Sequence, residues 1–315
     1  MTGSVGIYCR RNISPPVNGG ATIHDPPLTR FTMKYGAMNF PIKPLLGEIE
    51  EIGEMGFDYA ELTMDPPEAI PHKILAQKRV IQDALHRYGM GMVAHLPTFV
   101  WTSDLYESLR KASLQENFIA LEAAAELEIE KAVLHPGFIS GLGKFLPDKA
   151  KGYALESLEA ILKKAVSLNI TLCIENMFPQ ARFLSQPHEF QAVFEAFPEI
   201  RLTLDVGHAN LGGGKNRSSE FIRLYGYRIG HVHANDNFGK EDSHLPIGAG
   251  IIDFERIMKE LKEAQYDETI TLEVFSRDKD YLKISKEKIK RMWEAPSPHP
   301  SPLRGEEEGE GLCLF

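Results

Sequence analysis

The chain has 315 residues, of which 43% are hydrophobic and 25% charged, and its formal net charge is −9 at pH 7. This composition is ordinary for a globular protein, and no apolar run approaches the roughly 20 residues that a membrane-spanning helix requires. The negative charge offers no broad basic surface to a polyanion, and the N-terminus lacks the apolar core of a signal peptide. These features disfavour membrane proteins and broad polyanion binders, and we expect a cytoplasmic location.

Two terminal segments differ in composition from the rest of the chain. Residues 1–32 are rich in Gly, Pro, Thr and Arg and lack hydrophobic periodicity, and residues 295–315 are Pro-rich and then acidic. Segments of this kind bury too little apolar surface to build a core. We therefore expect a disordered leader over 1–32, one folded domain over 33–294 and a disordered tail over 295–315.

Strand-like and helix-like segments alternate eight times between these tails. The strands are short, continuous apolar runs, as in parallel sheets that are covered on both faces. They are predicted near 34–38, 58–63, 91–95, 131–135, 169–175, 201–205, 229–234 and 269–274. The helices are predicted near 43–55, 71–88, 105–128, 147–168, 186–197, 218–226, 253–265 and 281–293.

This alternation predicts a single (β/α)8 TIM barrel. Eight repeats in about 260 residues are the usual size of that fold. An open, doubly wound sheet is the alternative, but no Gly-rich phosphate-binding turn follows the first strand. In a TIM barrel the active site lies at the carboxyl ends of the strands.

Six of the predicted strands end in a residue that can bind a metal ion. In chain order these residues are His95, His135, Glu175, Asp205, His233 and Glu273. A lone strand-end histidine is more often structural, and a lone carboxylate often caps the following helix. Six potential ligands are harder to explain by separate structural needs, and burying several carboxylates without a cation would cost many kcal/mol. The sequence therefore predicts a metal centre on one rim of the barrel.

Three loop residues extend this predicted metal centre. His208 follows Asp205 in LDVGH, close enough for both to face one cavity. Asp242 and His244 lie in KEDSHLPIGAG, whose glycines and proline can fold the loop over the barrel mouth. His231, two residues before a strand-end histidine, is expected one layer deeper in a packing or supporting role. The mixture of imidazoles and carboxylates favours zinc, manganese or cobalt over magnesium.

At these motifs the chain resembles the xylose isomerase-like barrel superfamily. The resemblance covers about residues 33–293 and is carried by IEN, LDVGHAN, HANDN, DSHLPIGAG and LEV. The superfamily includes sugar and sugar-phosphate isomerases and epimerases, inosose dehydratases and type IV apurinic endonucleases. The motifs are specific for the superfamily but less so for any one reaction.

Resemblance to the epimerase branch implies one divalent ion held by Glu175, Asp205, His233 and Glu273. It also implies that the two glutamates are catalytic. One glutamate removes a proton from the carbon next to a carbonyl, and the other returns it to the opposite face through an enediolate that the ion stabilises. His208 would be a third catalytic residue, which binds a substrate oxygen.

Resemblance to the endonuclease branch implies three zinc ions that activate hydroxide for phosphodiester hydrolysis. The implied ligand sets are His95, His135 and Glu175 for one ion, Glu175, Asp205, His233 and Glu273 for the second, and His208, Asp242 and His244 for the third. Every position of that ligand set has a counterpart in this chain. The early histidines are not usual in a single-metal epimerase.

The surroundings of these residues depart from the endonuclease pattern. The first strand leads into GAMNFPIKP and not into a His-Ser-Gly-rich segment, and LDVGH stands where the pattern has Asp-Thr-Cys-His. No cluster of basic residues with interleaved aromatics, which a duplex-binding surface would need, follows the ligand strands.

We therefore expect a metal-dependent isomerase or epimerase with one to three ions and a small sugar or sugar phosphate as its partner. An apurinic endonuclease and an inosose-dehydratase-like lyase remain as alternatives. A nucleic acid is not the expected partner, and the sequence leaves the oligomeric state open, a homodimer included.

Overall fold

The computed structural model describes residues 33–295, in which eight parallel strands form a closed barrel. The strands are β1 (Lys34–Met38), β2 (Tyr59–Thr63), β3 (Gly91–His95), β4 (Lys131–Leu134), β5 (Thr171–Glu175), β6 (Arg201–Asp205), β7 (Ile229–Ala234) and β8 (Thr269–Leu272). Neighbours in sequence pair in parallel, and β8 closes the barrel against β1. The predicted (β/α)8 barrel is confirmed. The predicted disordered segments lie outside the described residues, apart from Ala295.

Helices follow the strands and, apart from the short α7 at the carboxyl rim, pack on the outside of the barrel. They are α1 (Leu45–Glu54), α2 (Pro71–Ala76), α3 (Lys78–Tyr88), α4 (Glu107–Glu126), α5 (Pro147–Ser167), α6 (Phe190–Ala196), α7 (Val206–Asn210), α8 (Ser218–Tyr225), α9 (Phe254–Glu263) and α10 (Asp280–Glu294). Short 3-10 helices span Gly141–Phe145, Pro179–Ala181, Pro187–Glu189 and Gly226–Arg228. Within residues 33–295, no helix combines the length and the apolar character needed to cross a membrane.

Two helical regions differ from the sequence prediction. One helix was predicted over 71–88, but the structure divides it into α2 and α3 because Gln77 leaves helical geometry, with φ −107° and ψ 7°. The short helix α7 was not predicted, since five residues are too few to show a helical period. It directly follows β6 and carries His208.

The strands divide their side chains between two apolar regions, as the two-residue period of a strand requires. On β2, Ala60 and Leu62 join the large core between the strands and the helices. Tyr59 instead belongs to a small cluster with Val93 and Val133 in the barrel interior. Full burial of one large apolar side chain contributes about 1.5–3 kcal/mol, so both regions stabilise the barrel.

Gly36 on β1 makes room for the Tyr59 ring inside the barrel. A Cβ atom at Gly36 would lie 2.1 Å from the Cε2 atom of Tyr59. The Tyr59 hydroxyl lies 2.8 Å from Thr271 Oγ1 on β8. A larger residue at position 36 would therefore displace a ring that connects β2 to β8 across the interior.

Paired charges close the amino end of the barrel. Lys131 Nζ donates to Glu268 Oε2 at 2.8 Å and to Thr269 Oγ1 at 3.1 Å. Arg201 Nη2 donates to the second oxygen of Glu268 at 2.6 Å, and its Nε donates to the Arg228 carbonyl at 3.1 Å. Each charge in this group, which we call the amino-end cluster, has an opposite charge as its partner.

Candidate metal centre

The structure brings the predicted strand-end ligands together at the carboxyl rim of the barrel. Together with His208 they form three overlapping groups, within each of which the ligand atoms lie within 4.8 Å of one another. The groups are His95–His135–Glu175, Glu175–Asp205–His208 and Asp205–His233–Glu273. Each combines imidazole nitrogen with carboxylate oxygen, a donor set that suits a divalent ion such as zinc or manganese. We call these seven residues the rim cluster.

Glu175, at the end of β5, occupies the centre of the rim cluster. Its Oε2 atom lies 3.3 Å from His135 Nε2 and 3.6 Å from His95 Nε2. The same oxygen is 3.5 Å from His233 Nδ1, and Oε1 is 2.9 Å from His208 Nδ1. Two donors that share a tetrahedral ion, each about 2.1 Å from it, lie roughly 3.4 Å apart. The separations around Oε2 therefore fit donors that share a metal ion.

Three buried atoms of the rim cluster have no hydrogen-bond partner. They are Glu175 Oε2, Asp205 Oδ2 and His233 Nδ1. The His233 Nδ1 atom lies 3.3 Å from Glu273 Oε1 and 3.8 Å from Asp205 Oδ2. An unpartnered buried polar atom costs about 1–3 kcal/mol, and more if it is charged. A divalent cation among these atoms would satisfy all three, so the residues fit the metal that the sequence implies.

The chain around β6 sets the positions of Asp205 and His208. Asp205 caps α7, because its Oδ1 accepts a hydrogen bond from the His208 backbone N–H at 2.6 Å. The Asn176 side chain holds the Asp205 backbone, accepting from its N–H at 2.8 Å and donating to its carbonyl at 2.9 Å. Gly207 allows Asn235 to approach, since a Cβ at Gly207 would lie 2.1 Å from Asn235 Oδ1. The motifs IEN, LDVGH and HAN are thus joined.

The loop between β7 and α9 places Asp242 and His244 beside the rim cluster. Asp242 Oδ2 lies 3.2 Å from His208 Nε2 and 3.1 Å from His244 Nε2. The His244 Nδ1 atom lies 3.7 Å from Glu273 Oε2. All the residues predicted as ligands from the sequence are therefore brought to one rim, although their role as ligands stays a prediction.

Asp236 anchors this loop. Its carboxylate accepts hydrogen bonds from the backbone N–H groups of Asn237 and Gly248, both at 2.9 Å, and of Ile252 at 3.1 Å. Its backbone also pairs with Leu245 in an isolated antiparallel bridge. These bonds fold the loop back toward the barrel mouth and hold the segment that contains Asp242 and His244.

Neighbouring carboxyl groups of the rim cluster have opposite pKa shifts. Burial raises the pKa of Asp205 well above its ordinary value; the His208 imidazole opposes this shift and the Glu273 carboxylate adds to it. Burial also acts to raise the pKa of Glu175, but the facing histidines, His135 first among them, outweigh burial and hold that pKa well below its ordinary value. The proton affinity of each rim carboxyl group thus depends on whether burial or the facing imidazoles dominate.

Sequence reasoning missed Glu61, which lies under the rim cluster in the middle of β2. It is fully buried, and its oxygens lie 3.0 Å from His233 Nε2 and 2.9 Å from His231 Nε2. The Thr271 hydroxyl donates to Oε2 as well. Burial acts to raise the pKa of Glu61, but the two histidines outweigh it and leave that pKa well below its ordinary value. A lone carboxylate within the buried strand YAELT was the signal in the sequence.

Comparison with known proteins relates the chain to one family. It matches the family described as xylose isomerase-like TIM barrel over residues 49–294. It is 30% identical to the uncharacterized protein MJ1311 of Methanocaldococcus jannaschii, over 82% of this chain and 92% of that protein. A D-tagatose 3-epimerase-like protein superposes with a TM-score of 0.73 at 29% identity, covering 83% of this chain and 97% of the other. The 3-keto-D-glucoside 4-epimerase YcjR from E. coli superposes with a TM-score of 0.68 at 18% identity, covering 82% and 99% of the two chains.

The family match over residues 49–294 includes every strand that contributes to the rim cluster. The likeness to YcjR concerns the fold alone, whereas the family match and MJ1311 also concern the sequence. The solved neighbours are described as sugar epimerases. The resemblance predicted from the motifs is confirmed, and the chain belongs to the xylose isomerase-like TIM barrel family.

Proposed function

We propose that this protein is a metal-dependent isomerase or epimerase that acts on a small sugar or sugar phosphate. The observation that carries the proposal is a pair of buried glutamates, Glu175 and Glu273, that face the same unpartnered atom, His233 Nδ1, at 3.5 and 3.3 Å. The likeness to a D-tagatose 3-epimerase-like protein supports the same reaction class.

In this proposal the two glutamates exchange a proton with one substrate carbon. Glu175 ends β5 and Glu273 follows β8, three strands further around the barrel, so a substrate over the rim meets one carboxylate on each side. One glutamate, ionised, removes the proton next to the carbonyl, and the other, protonated, delivers its own proton to the opposite face of the same carbon. His208 donates a hydrogen bond to a substrate oxygen. A divalent ion, when bound by Glu175, Asp205, His233 and Glu273, would polarise the carbonyl and stabilise negative charge on the substrate oxygens.

Aromatic rings beside the rim cluster support a small organic substrate. The Phe178 ring centroid lies 5.1 Å from that of His208, and the Phe275 ring centroid lies 4.6 Å from that of His244. Phe178 is half-buried and Phe275 is 44% exposed, so both leave ring surface open to a ligand. Pockets that combine such apolar surface with a few fixed polar groups are typical of small-molecule sites.

Phosphodiester hydrolysis is the second candidate, and one observation favours it. His95 and His135 contact Glu175 on one side of the rim, while Asp242 and His244 contact His208 and Glu273 on the other. A single ion needs only some of these donors, whereas three ions would use them all. The net charge of −9 weighs against a nucleic-acid substrate, because binding the phosphate backbone relies on basic side chains.

Metal content and product analysis separate the two candidates. The protein, purified without chelator, is analysed for metal per chain and incubated with ketoses and their phosphates in D2O. The epimerase proposal expects about one ion, solvent deuterium at one sugar carbon and no hydrolysis. Three ions per chain together with incision of a duplex that contains an abasic analogue would overturn it, and loss of water from the sugar would assign a lyase.

A matched pair of variants shows whether the rim cluster causes any turnover. Glu273→Gln changes one carboxylate of the rim, and Glu268→Gln makes the same change in the amino-end cluster. We expect the first to reduce turnover on the order of 100-fold or more and the second to leave it within about twofold. Equal effects of the two variants would contradict the assignment of Glu273.

A further inference from the structure

The two ring nitrogens of His233 face chemically different surroundings. The Nε2 atom lies 3.0 Å from Glu61 Oε1, and both side chains are completely buried. The Nδ1 atom lies 3.3 Å from Glu273 Oε1 and has no hydrogen-bond partner. One nitrogen is therefore turned to the barrel interior and the other to the rim cluster.

The Glu61 carboxylate lies among side-chain donors. His231 Nε2 lies 2.9 Å from Glu61 Oε2, and the Thr271 hydroxyl donates to the same oxygen. Because the Thr271 proton is used in this way, the Tyr59 hydroxyl, 2.8 Å away, donates to Thr271 Oγ1. A carboxylate only accepts hydrogen bonds, so the His233 nitrogen that faces it must carry a proton. A neutral imidazole has one such proton, which leaves the lone pair on Nδ1.

We propose that Glu61 is a positioning residue that fixes His233 in the tautomer protonated at Nε2 and so presents Nδ1 as the metal-binding atom. Glu61 comes from β2 and His233 from β7, so their hydrogen bond spans the barrel interior and also restricts rotation of the ring. The inference rests on the metal centre of the proposed function but not on its reaction. Loss of such a partner typically lowers metal affinity about 10–100-fold.

A positioning role fits the distances better than an additional metal site does. Glu61, His231 and His233 are close enough together to hold an ion themselves. Their separations of 2.9 and 3.0 Å, however, are those of hydrogen bonds and are shorter than the roughly 3.4 Å between donors on a shared tetrahedral ion. The imidazole of His231 is also engaged on its other side, where Nδ1 lies 2.7 Å from Thr269 Oγ1.

The test compares Glu61→Gln with Thr271→Val in the full chain. Both substitutions nearly keep side-chain volume and both alter the same buried network, but only the first weakens the acceptor that faces His233. Zinc affinity is measured by competition with a chromogenic chelator. The tautomer of His233 is measured from its ring 15N chemical shifts, first in wild type and then in each variant.

We expect wild-type His233 to be protonated at Nε2 and Glu61→Gln to mix the tautomers and to weaken zinc binding about 10–100-fold. Thr271→Val should keep the tautomer and bind zinc within about threefold of wild type. A proton on Nδ1 in wild type, or unchanged zinc affinity in Glu61→Gln while His233→Ala loses it, would overturn the inference.

Two further points separate the role of Glu61 from a folding defect and from the proposed reaction. If Glu61→Gln does not fold, Glu61→Asp is used, which keeps the charge but shortens the side chain and should weaken zinc binding in the same direction. None of these measurements uses a sugar. A protein with the expected tautomer and zinc affinity that does not turn over any sugar would therefore count against the proposed reaction and not against the role of Glu61.

Discussion

The two ends of the barrel interior both hold clustered charges, but they satisfy them differently. In the amino-end cluster, each oxygen of Glu268 accepts from a cation, Lys131 at 2.8 Å and Arg201 at 2.6 Å. In the rim cluster, Glu175 Oε2 and Asp205 Oδ2 are buried without a hydrogen-bond partner. The amino-end cluster thus pairs its charges within the chain, whereas the rim cluster leaves two carboxylate oxygens without a partner. Clustered charge alone therefore does not indicate a functional site; several unpartnered buried ligand atoms gathered at one place make a candidate for one.

The sharpest test of this comparison is the same substitution at both ends. Glu175→Gln removes the carboxylate that four imidazoles face, so we expect loss of bound metal and a fall in turnover on the order of 1000-fold. Glu268→Gln should retain metal and turnover. Metal analysis and steady-state kinetics measure both. A Glu175→Gln protein that keeps its metal would break the comparison.

Metal removal should affect the rim and leave the amino end unchanged. A ligand present at 1000 times its Kd stabilises a folded protein by about 4 kcal/mol, which for a domain of this size corresponds to roughly 5–10 °C in Tm. We expect a chelator to lower the Tm of wild type by this amount and added zinc to restore it. Glu268→Gln should show the same metal-dependent shift from a lower starting Tm. If Glu175→Gln showed that shift as well, the metal would bind elsewhere.

Breaking the amino-end cluster should cost stability and nothing else. Glu268→Ala leaves the Lys131 and Arg201 cations without their carboxylate, although these side chains are 18% and 34% exposed and water can partly replace it. We expect a loss of about 2 kcal/mol in the free energy of unfolding, measured with urea. Metal content should match that of wild type. A change in metal content would mean that the two ends of the barrel are coupled.

The convergence of the ligands on one rim could be predicted because it needs only strand ends. A parallel closed barrel places all carboxyl ends together, so residues such as His95 and Glu273 share a rim whatever their distance in sequence. The predicted strands accordingly lie within two residues of the observed ones at each end. Metal binding by these residues stays a prediction.

The residues that hold the rim cluster and its loop in position could not be predicted, because their role depends on contacts between segments that are distant in sequence. No pattern in the sequence around Glu61 indicates which side chain it contacts. Its contact with His233 arises only when β2 and β7 face each other in the closed barrel. The anchoring role of Asp236 likewise requires the N–H groups of Gly248 and Ile252 to fold back onto it. Such pairings are set by tertiary geometry and not by local pattern.

Glu48 on α1 tests the same comparison with the smallest expected effect. It is a buried carboxylate outside the rim cluster, and both of its oxygens have partners. It is 3% exposed, and its oxygens contact the Phe40 N–H at 3.0 Å, Lys279 at 3.2 Å and Lys43 at 3.1 Å. Burial acts to raise the pKa of Glu48, but the Phe40 N–H and the two ammonium groups outweigh it and leave that pKa below its ordinary value. Its charge should therefore stabilise the fold in the way that the amino-end cluster does.

A lowered folded-state pKa fixes the sign of the pH dependence for Glu48. Its contribution is fully present above the unfolded-state pKa of about 4.3 and is lost as the pH falls toward the folded-state value. We expect Glu48→Gln to unfold about 1 kcal/mol more easily than wild type at pH 7, since Lys43 is 47% exposed and screened by water. Urea unfolding should show this difference shrinking as the pH is lowered through 4, with metal content unchanged. A difference that grows toward acid pH would mean that Glu48 is stabilised in its protonated form, and the distinction between partnered and unpartnered carboxylates would fail there.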